Sequence, residues 1–341
     1  MKHFIVALMV SSLLVVVAAC GSNESSTDTP GENGNGEAKE HNLTLAHNLS
    51  EDHPVHLGLA RFAELVEERS EGQITMEIFP NGVLGDEREV LEQVQAGGVD
   101  ITKVSAAALE NFSSQYAVFS LPYVFADEEH FFQSMESEAV AQLFDDTETD
   151  GFVGLTWYDS GARSFYTVDQ PIMHPDDLKG LRIRVMDSQT QIEMMEALGG
   201  APTPMPYGEI YTALQSGVVD GAESNPTALT TGKHGEVAKA FSFDEHARIP
   251  DIAVISSAVW NEFTDEQRQF VRDAAKESTE YQKDIWAEAV EEAIEEAEAM
   301  GVEFHYPDQE PFYQAVQPLH EKYREDEKIA ELLDAFDQLR Q

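Results

Sequence analysis

From Thr264 to Met300 the chain runs without a proline or glycine, and this constrains the fold more than any other stretch. Thr264 offers a capping hydroxyl, Asp265 and Glu266 place acids at the positive end of a helix dipole, and Gly301 ends the run. A helix of roughly 36 residues would extend about 54 Å at 1.5 Å per residue. A small domain is only about 30 Å across, so the helix must run over two lobes or leave the body of the protein. The alternative is a coiled-coil dimer, against which stands the lack of a sustained apolar heptad.

With 341 residues and 42% hydrophobic content, the chain can bury a large core, and its length suits about two domains. A net charge of -43, from 64 acidic and 21 basic residues, argues against nucleic-acid binding, which needs clustered Lys and Arg. The acid excess reads as a solvated surface suited to salt or alkali. It also makes each cation conspicuous.

One such place is Leu178 to Pro226. Leu181, Ile183 and Val185 alternate with Arg182 and Arg184, the period of a strand with one aliphatic face. The strand ends at Met186-Asp187, and in α/β sheets ligands sit beyond the carboxyl ends of strands, where Arg184 would project. A guanidinium there can grip a carboxylate with two parallel hydrogen bonds. Downstream, Gly217-Val218-Val219 reads as a second short strand, followed by Ser224-Asn225-Pro226, whose amide can both donate and accept. Nearer the start, Leu43 to Ala46 and Ile74-Met76-Ile78 read as strands around an amphipathic helix carrying Leu57, Ala60, Phe62, Ala63, Leu65 and Val66. The segments 94–101 and 214–221 echo each other as helix, Gly, short strand, which suggests two similar βα lobes.

The N-terminus, with Lys2 before a short apolar run and Val17-Ala18-Ala19-Cys20-Gly21 after it, reads as a signal peptide over 1–19. Cys20 is the only cysteine, placed as the lipidated first residue of a lipoprotein. Residues 20–40, rich in Gly, Ser, Asn and Glu, read as the lipidated cysteine followed by a disordered linker.

These motifs carry a resemblance. LRIRV, GGAPTPM, YTALQSGVVDG and the turn ESNP, with FPNGVLGDEREVLEQVQAGGVDI, SLPYVF and GARSFYT upstream, resemble the solute-binding receptors of tripartite ATP-independent periplasmic (TRAP) transporters, the C4-dicarboxylate-receptor family. The similarity runs from about Leu43 to about Pro307. It implies an α/β, two-lobed periplasmic-binding-protein-like fold with crossing strands and a long C-terminal helix spanning both lobes. Lobe I would hold 41–161 and about 250–285, and lobe II 162–249 and about 286–341. No cofactor, metal or enzymatic activity is implied. The protein would capture a small organic acid by cleft closure and deliver it to small and large membrane permease subunits, while its lipid holds it on the outer face of the cell membrane, which is periplasmic if the cell has two membranes.

The resemblance also assigns residues. Arg184 takes the place of the carboxylate-gripping arginine, and Arg163 that of a second arginine near the crossing between lobes; bracing Asp159 or Asp187 is the alternative for Arg163. Asn225, or Ser224 if the register differs by one, would bond the same carboxylate, and Tyr207 would pack on the ligand. Asn48, Glu87 and Ser105 would meet its distal end. His47 could bond a ligand hydroxyl, Asp187 joins the set at the strand end, and Trp157 and Tyr158 are candidates to stack on a sugar. Arg182 has no matching role.

His47, His53 and His56 with Asp52 form the one histidine-rich patch, but His53-Pro54 reads better as a helix start than as a metal site. No Ser nucleophile elbow, Cys nucleophile, phosphate-binding Gly loop or HExxH is present. The abundant carboxylates leave a surface hydrolase as a distant rival. A lipoprotein receptor of an ATP-driven importer is another, opposed by the long helix. Among ligands, a sugar acid such as a uronate is favoured over C4-dicarboxylates and keto acids, because Glu87 would repel a second carboxylate, unless Lys103 turns inward.

Overall fold

The computed structural model describes residues 39–340. The signal peptide, Cys20 and most of the linker lie outside the described residues. Among the described residues no helix is long and apolar enough to cross a membrane.

The strands are β1 (His41–Ala46), β2 (Ile74–Phe79), β3 (Ile101–Ser105), β4 (Phe152–Tyr158), β5 (Ala162–Thr167), β6 (Arg182–Val185), β7 (Ala201–Pro204), β8 (Gly221–Ser224), β9 (Ala240–Arg248), β10 (Asp251–Ser256) and β11 (Glu303–His305). They form a five-stranded sheet ordered β2-β1-β3-β10-β4 and a six-stranded sheet ordered β11-β9-β5-β8-β6-β7. β4 pairs antiparallel with β10 in the first, and β5 with β9 in the second. The chain therefore crosses at 159–161 and returns at 249–250, so two antiparallel strands pass side by side between the sheets. Each sheet is the base of one lobe.

Helices cover these sheets because their apolar stripes have nowhere else to go. The helix Pro54–Arg69 opens as read, with His53 accepting the Val55 N–H and Pro54 in the first turn. Its buried stripe is Val55, Leu59, Phe62 and Val66; Leu57, expected on that face, is 40% exposed. Positions two apart lie on nearly opposite sides of a helix. Gly58 lets this helix approach closely, since a Cβ there would sit 3.0 Å from Gln282 and from the Tyr158 ring.

The long helix spans Asp265–Ala299, 35 residues, with a capping box between Thr264 and Gln267. It packs on the helix Pro54–Arg69 and β4, then on the helix Thr227–Thr230, and its Ala297 ends among Tyr166, Phe241 and Val302 of the second lobe. It thus runs along both lobes.

A second expectation needs correction. Gly217-Val218-Val219 is not a strand: Gly217 ends the helix Ile210–Ser216 at φ 70, Val218 is exposed, and β8 begins only at Gly221. The echo is still visible, because Gly97 ends the helix Glu87–Ala96 at φ 73 shortly before β3. The last helix, Glu327–Leu339, packs on the segments Ser114–Ser120, Glu128–Met135 and Glu138–Asp146 that precede β4, with Phe336 against Phe119 and Phe125. Apolar complementarity carries it onto these segments.

Candidate functional site

Between the sheets lies an inner cavity of about 60 Å³ lined by Asn48, His53, Glu87, Lys103, Ser105, Ser160, Arg163, Arg184, Tyr207, Ser224, Asn225, Thr227 and Asp251, among others. An outer cleft of about 570 Å³ shares Asn48, Glu87, Arg184, Met186 and Tyr207 with it.

Alternation on β6 puts both arginines on the face opposite Ile183 and Val185, and their surroundings tell them apart. Ile183 and Val185 face the core, and Arg182 lies exposed, paired with Asp220. Arg184, further along, is 3% exposed. Its Nε and Nη2 donate to the Met205 carbonyl at 3.0 and 2.8 Å, and its nearest carboxylate, Glu223, stands 3.9 Å away. Burial pulls its pKa below the ordinary guanidinium value. Nη1 is the atom that faces Glu223 at 3.9 Å, so the guanidinium has no carboxylate at hydrogen-bond range.

Arg163 on β5 also reaches the cavity, but its partner was not foreseen. Glu223 on β8, wholly buried, accepts from Nε at 2.6 Å and Nη2 at 3.0 Å, and the Glu223 carbonyl accepts from Nη2 at 2.8 Å. Bracing of Asp159 or Asp187 by Arg163 does not occur: Asp159 faces Arg248 and Asp187 faces Arg88. Behind Glu223, His246 stacks on Phe165 and bonds Asp244 at 2.8 Å. Burial alone would raise the Glu223 pKa, yet Arg163 and then His246 bring it down to about 2; burial would lower that of His246, yet Asp244 and Glu223 lift it to about 9. This network escaped the sequence reading. Its signal was an acid in a strand of otherwise small residues, Gly-Ala-Glu-Ser, and an acid alternating with a histidine in β9.

Asn225 lines the cavity with its amide oriented. Oδ1 accepts from the Thr227 N–H at 2.9 Å and its hydroxyl at 2.6 Å, so the NH₂ is the end free to donate. Ser224 lines the same cavity, and Tyr207 reaches both spaces.

On the first-lobe side Lys103, 2% exposed, does turn inward, with Nζ 3.0 Å from both Glu87 and Asp251. Burial would lower its pKa, but Asp251 and Glu87 raise it on balance, so it stays charged and doubly held. Glu87 also accepts the Ser105 N–H through Oε1, leaving Oε2. The Ser105 hydroxyl accepts from the Ala107 N–H, a cap for the short helix Ala106–Leu109. Asn48 Oδ1 is buried in the cavity wall without a hydrogen-bond partner. A buried acceptor left unpaired costs about 1–3 kcal/mol, so this atom is poised for a donor. His53, neutral because burial lowers its pKa to about 4, faces Thr227 across the cavity at 3.4 Å.

Other candidates are placed elsewhere. His47 lines neither space: Nδ1 accepts the Leu49 N–H, Nε2 meets His56 at 2.9 Å, and burial with nearby Lys103 lowers its pKa to about 3. Asp187 is exposed at the cleft mouth, 3.5 Å from Arg88. Trp157 packs edge-on to Phe131, and Tyr158 bonds Ser278 in the core, so neither ring is offered to a sugar. Among the described residues no group of three or more His, Cys, Asp or Glu is arranged to hold a metal ion.

The comparisons with known proteins agree with this architecture. Residues 45–326 match the DctP family, described as bacterial extracellular solute-binding protein, family 7. The chain is 44% identical over 270 residues to YiiZ of Salmonella typhimurium, an uncharacterized protein, covering 79% of this chain and 83% of that one. A TRAP periplasmic solute-binding protein from Anaerococcus prevotii, solved with bound D-glucuronate, superposes with a TM-score of 0.86 at 41% identity, covering 88% of this chain and 98% of that one. Another, from Xanthobacter autotrophicus with bound β-D-galacturonate, gives 0.85 at 34% identity, covering 87% and 100%. The chain belongs to the DctP family of extracellular solute-binding proteins, the receptors that hand small organic acids to TRAP-type membrane permeases.

Proposed function

We propose that this receptor binds a hexuronate, D-glucuronate or D-galacturonate, by closing its two lobes over the sugar. The observation that carries this reading is the opposition of Arg184, a buried cation with no carboxylate at hydrogen-bond distance, and Asn48 Oδ1, a buried acceptor with no donor. A uronate presents one carboxylate to the first and hydroxyls to the second. Arg163 supports Arg184 through Glu223, and Asn225 donates its NH₂ to the same carboxylate. Glu87 Oε2 accepts a sugar hydroxyl, and Tyr207 covers the ring. Ligand contact stabilises the closed arrangement and so shifts the population toward it. Relatives solved with uronates support the same ligand class. Cys20 would tether the receptor through a lipid to the outer face of the cell membrane.

A thermal-shift panel of uronates, aldonates, C4-dicarboxylates and keto acids tests the reading. A ligand at 100 times its dissociation constant adds about 2.7 kcal/mol of stability. The uronates are expected to give the largest shifts; a panel led by succinate or by a keto acid would refute the assignment.

A further inference from the structure

The turn Met186–Thr190 begins two residues after Arg184, at the end of β6, and enters the helix Gln189–Ala197. It is gripped from the first-lobe side. Glu110, just beyond β3 and the short helix Ala106–Leu109, accepts the Ser188 hydroxyl at 2.7 Å and the Thr190 N–H at 3.0 Å. Its neighbour Asn111 donates to the Asp187 carbonyl at 2.7 Å, and Arg88 faces the Asp187 carboxylate at 3.5 Å. Glu110 itself lines neither the inner cavity nor the outer cleft.

The helix does not depend on Glu110 for its cap, because the Ser188 Oγ already accepts the Gln191 N–H from within the second lobe. What Glu110 adds is a carboxylate from the other lobe on a further orphan N–H, at the end of the helix where the dipole favours negative charge. Lobe separation would return Glu110, Ser188 and the Thr190 N–H to water. Lobe closure exchanges those water contacts for charge-assisted hydrogen bonds, which are stronger than neutral ones. The turn is only a few residues from Arg184, so seating it also fixes where that guanidinium stands.

We propose that Glu110 is a positioning residue that latches the cleft by gripping the turn Met186–Thr190, and so sets ligand affinity without touching the ligand. The latch biases the closed population, and a receptor whose binding-competent state is less populated binds more weakly in proportion. The affinity part of the proposal rests on the uronate reading above; the conformational part does not.

The test compares wild type with Glu110→Gln, which keeps the side chain's shape but removes its charge, so that neutral hydrogen bonds replace charge-assisted ones. Small-angle X-ray scattering without ligand is expected to give a larger radius of gyration for the variant; equal values would overturn the latch. Stopped-flow titration with D-glucuronate is expected to show a dissociation constant about tenfold higher, the loss of a charged hydrogen bond, carried by faster dissociation. A variant with a lower melting temperature but unchanged dissociation rate would mean that Glu110 is merely structural, and would overturn the proposal. Should wild type ignore D-glucuronate, the ligand reading falls and the scattering comparison alone decides the latch.

Discussion

The two walls of the cavity are built from the same kinds of residue and carry opposite charge. On the second-lobe wall Arg163 and Arg184 share one carboxylate, Glu223, so a positive charge is left over. On the first-lobe wall Lys103 is divided between Glu87 and Asp251, so a negative charge is left over. A ligand with a carboxylate at one end and hydroxyls at the other complements both. A dicarboxylate complements only one, because the inward lysine is a cation already claimed. Burial of Lys103 therefore does not rescue a second carboxylate; it explains how Glu87 and Asp251 can stand together in the wall.

The first way to break this contrast is to remove the lysine. Lys103→Met leaves two carboxylates near each other with no cation, and breaking a buried ion pair typically costs about 3–5 kcal/mol. The expected outcome is a chemical-denaturation midpoint well below wild type; equal stability would show that the first wall is not organised around Lys103. On the opposite wall, Arg184→Lys keeps the charge and loses the planar fork, and calorimetry is expected to show affinity for D-glucuronate weakened by about 2–5 kcal/mol if the pair is desolvated. Unchanged affinity would remove Arg184 from the site.

Acid and alkali should attack different walls. His246 has its pKa raised from 6.5 to about 9, so its stabilisation is complete below pH 6.5 and is lost as pH rises through 9. His53 has its pKa lowered from 6.5 to about 4, so the unfolded chain takes up the proton first and stability falls as pH drops from 6.5 toward 4. Each shift corresponds to on the order of 3 kcal/mol. Melting curves from pH 4 to 10 should show His246→Asn flattening the alkaline limb and His53→Gln the acid limb; limbs unchanged in both variants would contradict the assignment of charge states. The smallest effect concerns the unpaired acceptor. Asn48→Ala is expected to weaken D-glucuronate binding by about 1 kcal/mol, the net value of one hydrogen bond, with little change in folding stability.

Periodicity revealed a good deal of this molecule. The uninterrupted run after Thr264 foretold a helix that now spans Asp265–Ala299, and alternation in Leu181 to Val185 set Arg184 at the end of a strand. The helix-Gly-strand echo was readable because glycine tolerates the left-handed turn at Gly97 and Gly217. What the sequence could not show was partnership. Glu223 and Arg163 are 60 residues apart, Lys103 and Asp251 are 148 apart, and only the crossing strands bring them together. Nor did the sequence show that His47 Nε2 meets His56 and that His47 lines neither the cavity nor the cleft. Tertiary pairing also explains the last helix, whose apolar face is plain in sequence but whose docking place is not.

The central claim, that the cavity is polarised for one carboxylate and several hydroxyls, is tested most directly by isothermal titration of wild-type protein with D-glucuronate and succinate at neutral pH, each alone and in competition. The account predicts that D-glucuronate binds more tightly and that succinate does not displace it at comparable concentration. Tighter binding of succinate would require a free cation on the first-lobe wall, and would contradict the charge division between Lys103, Glu87 and Asp251.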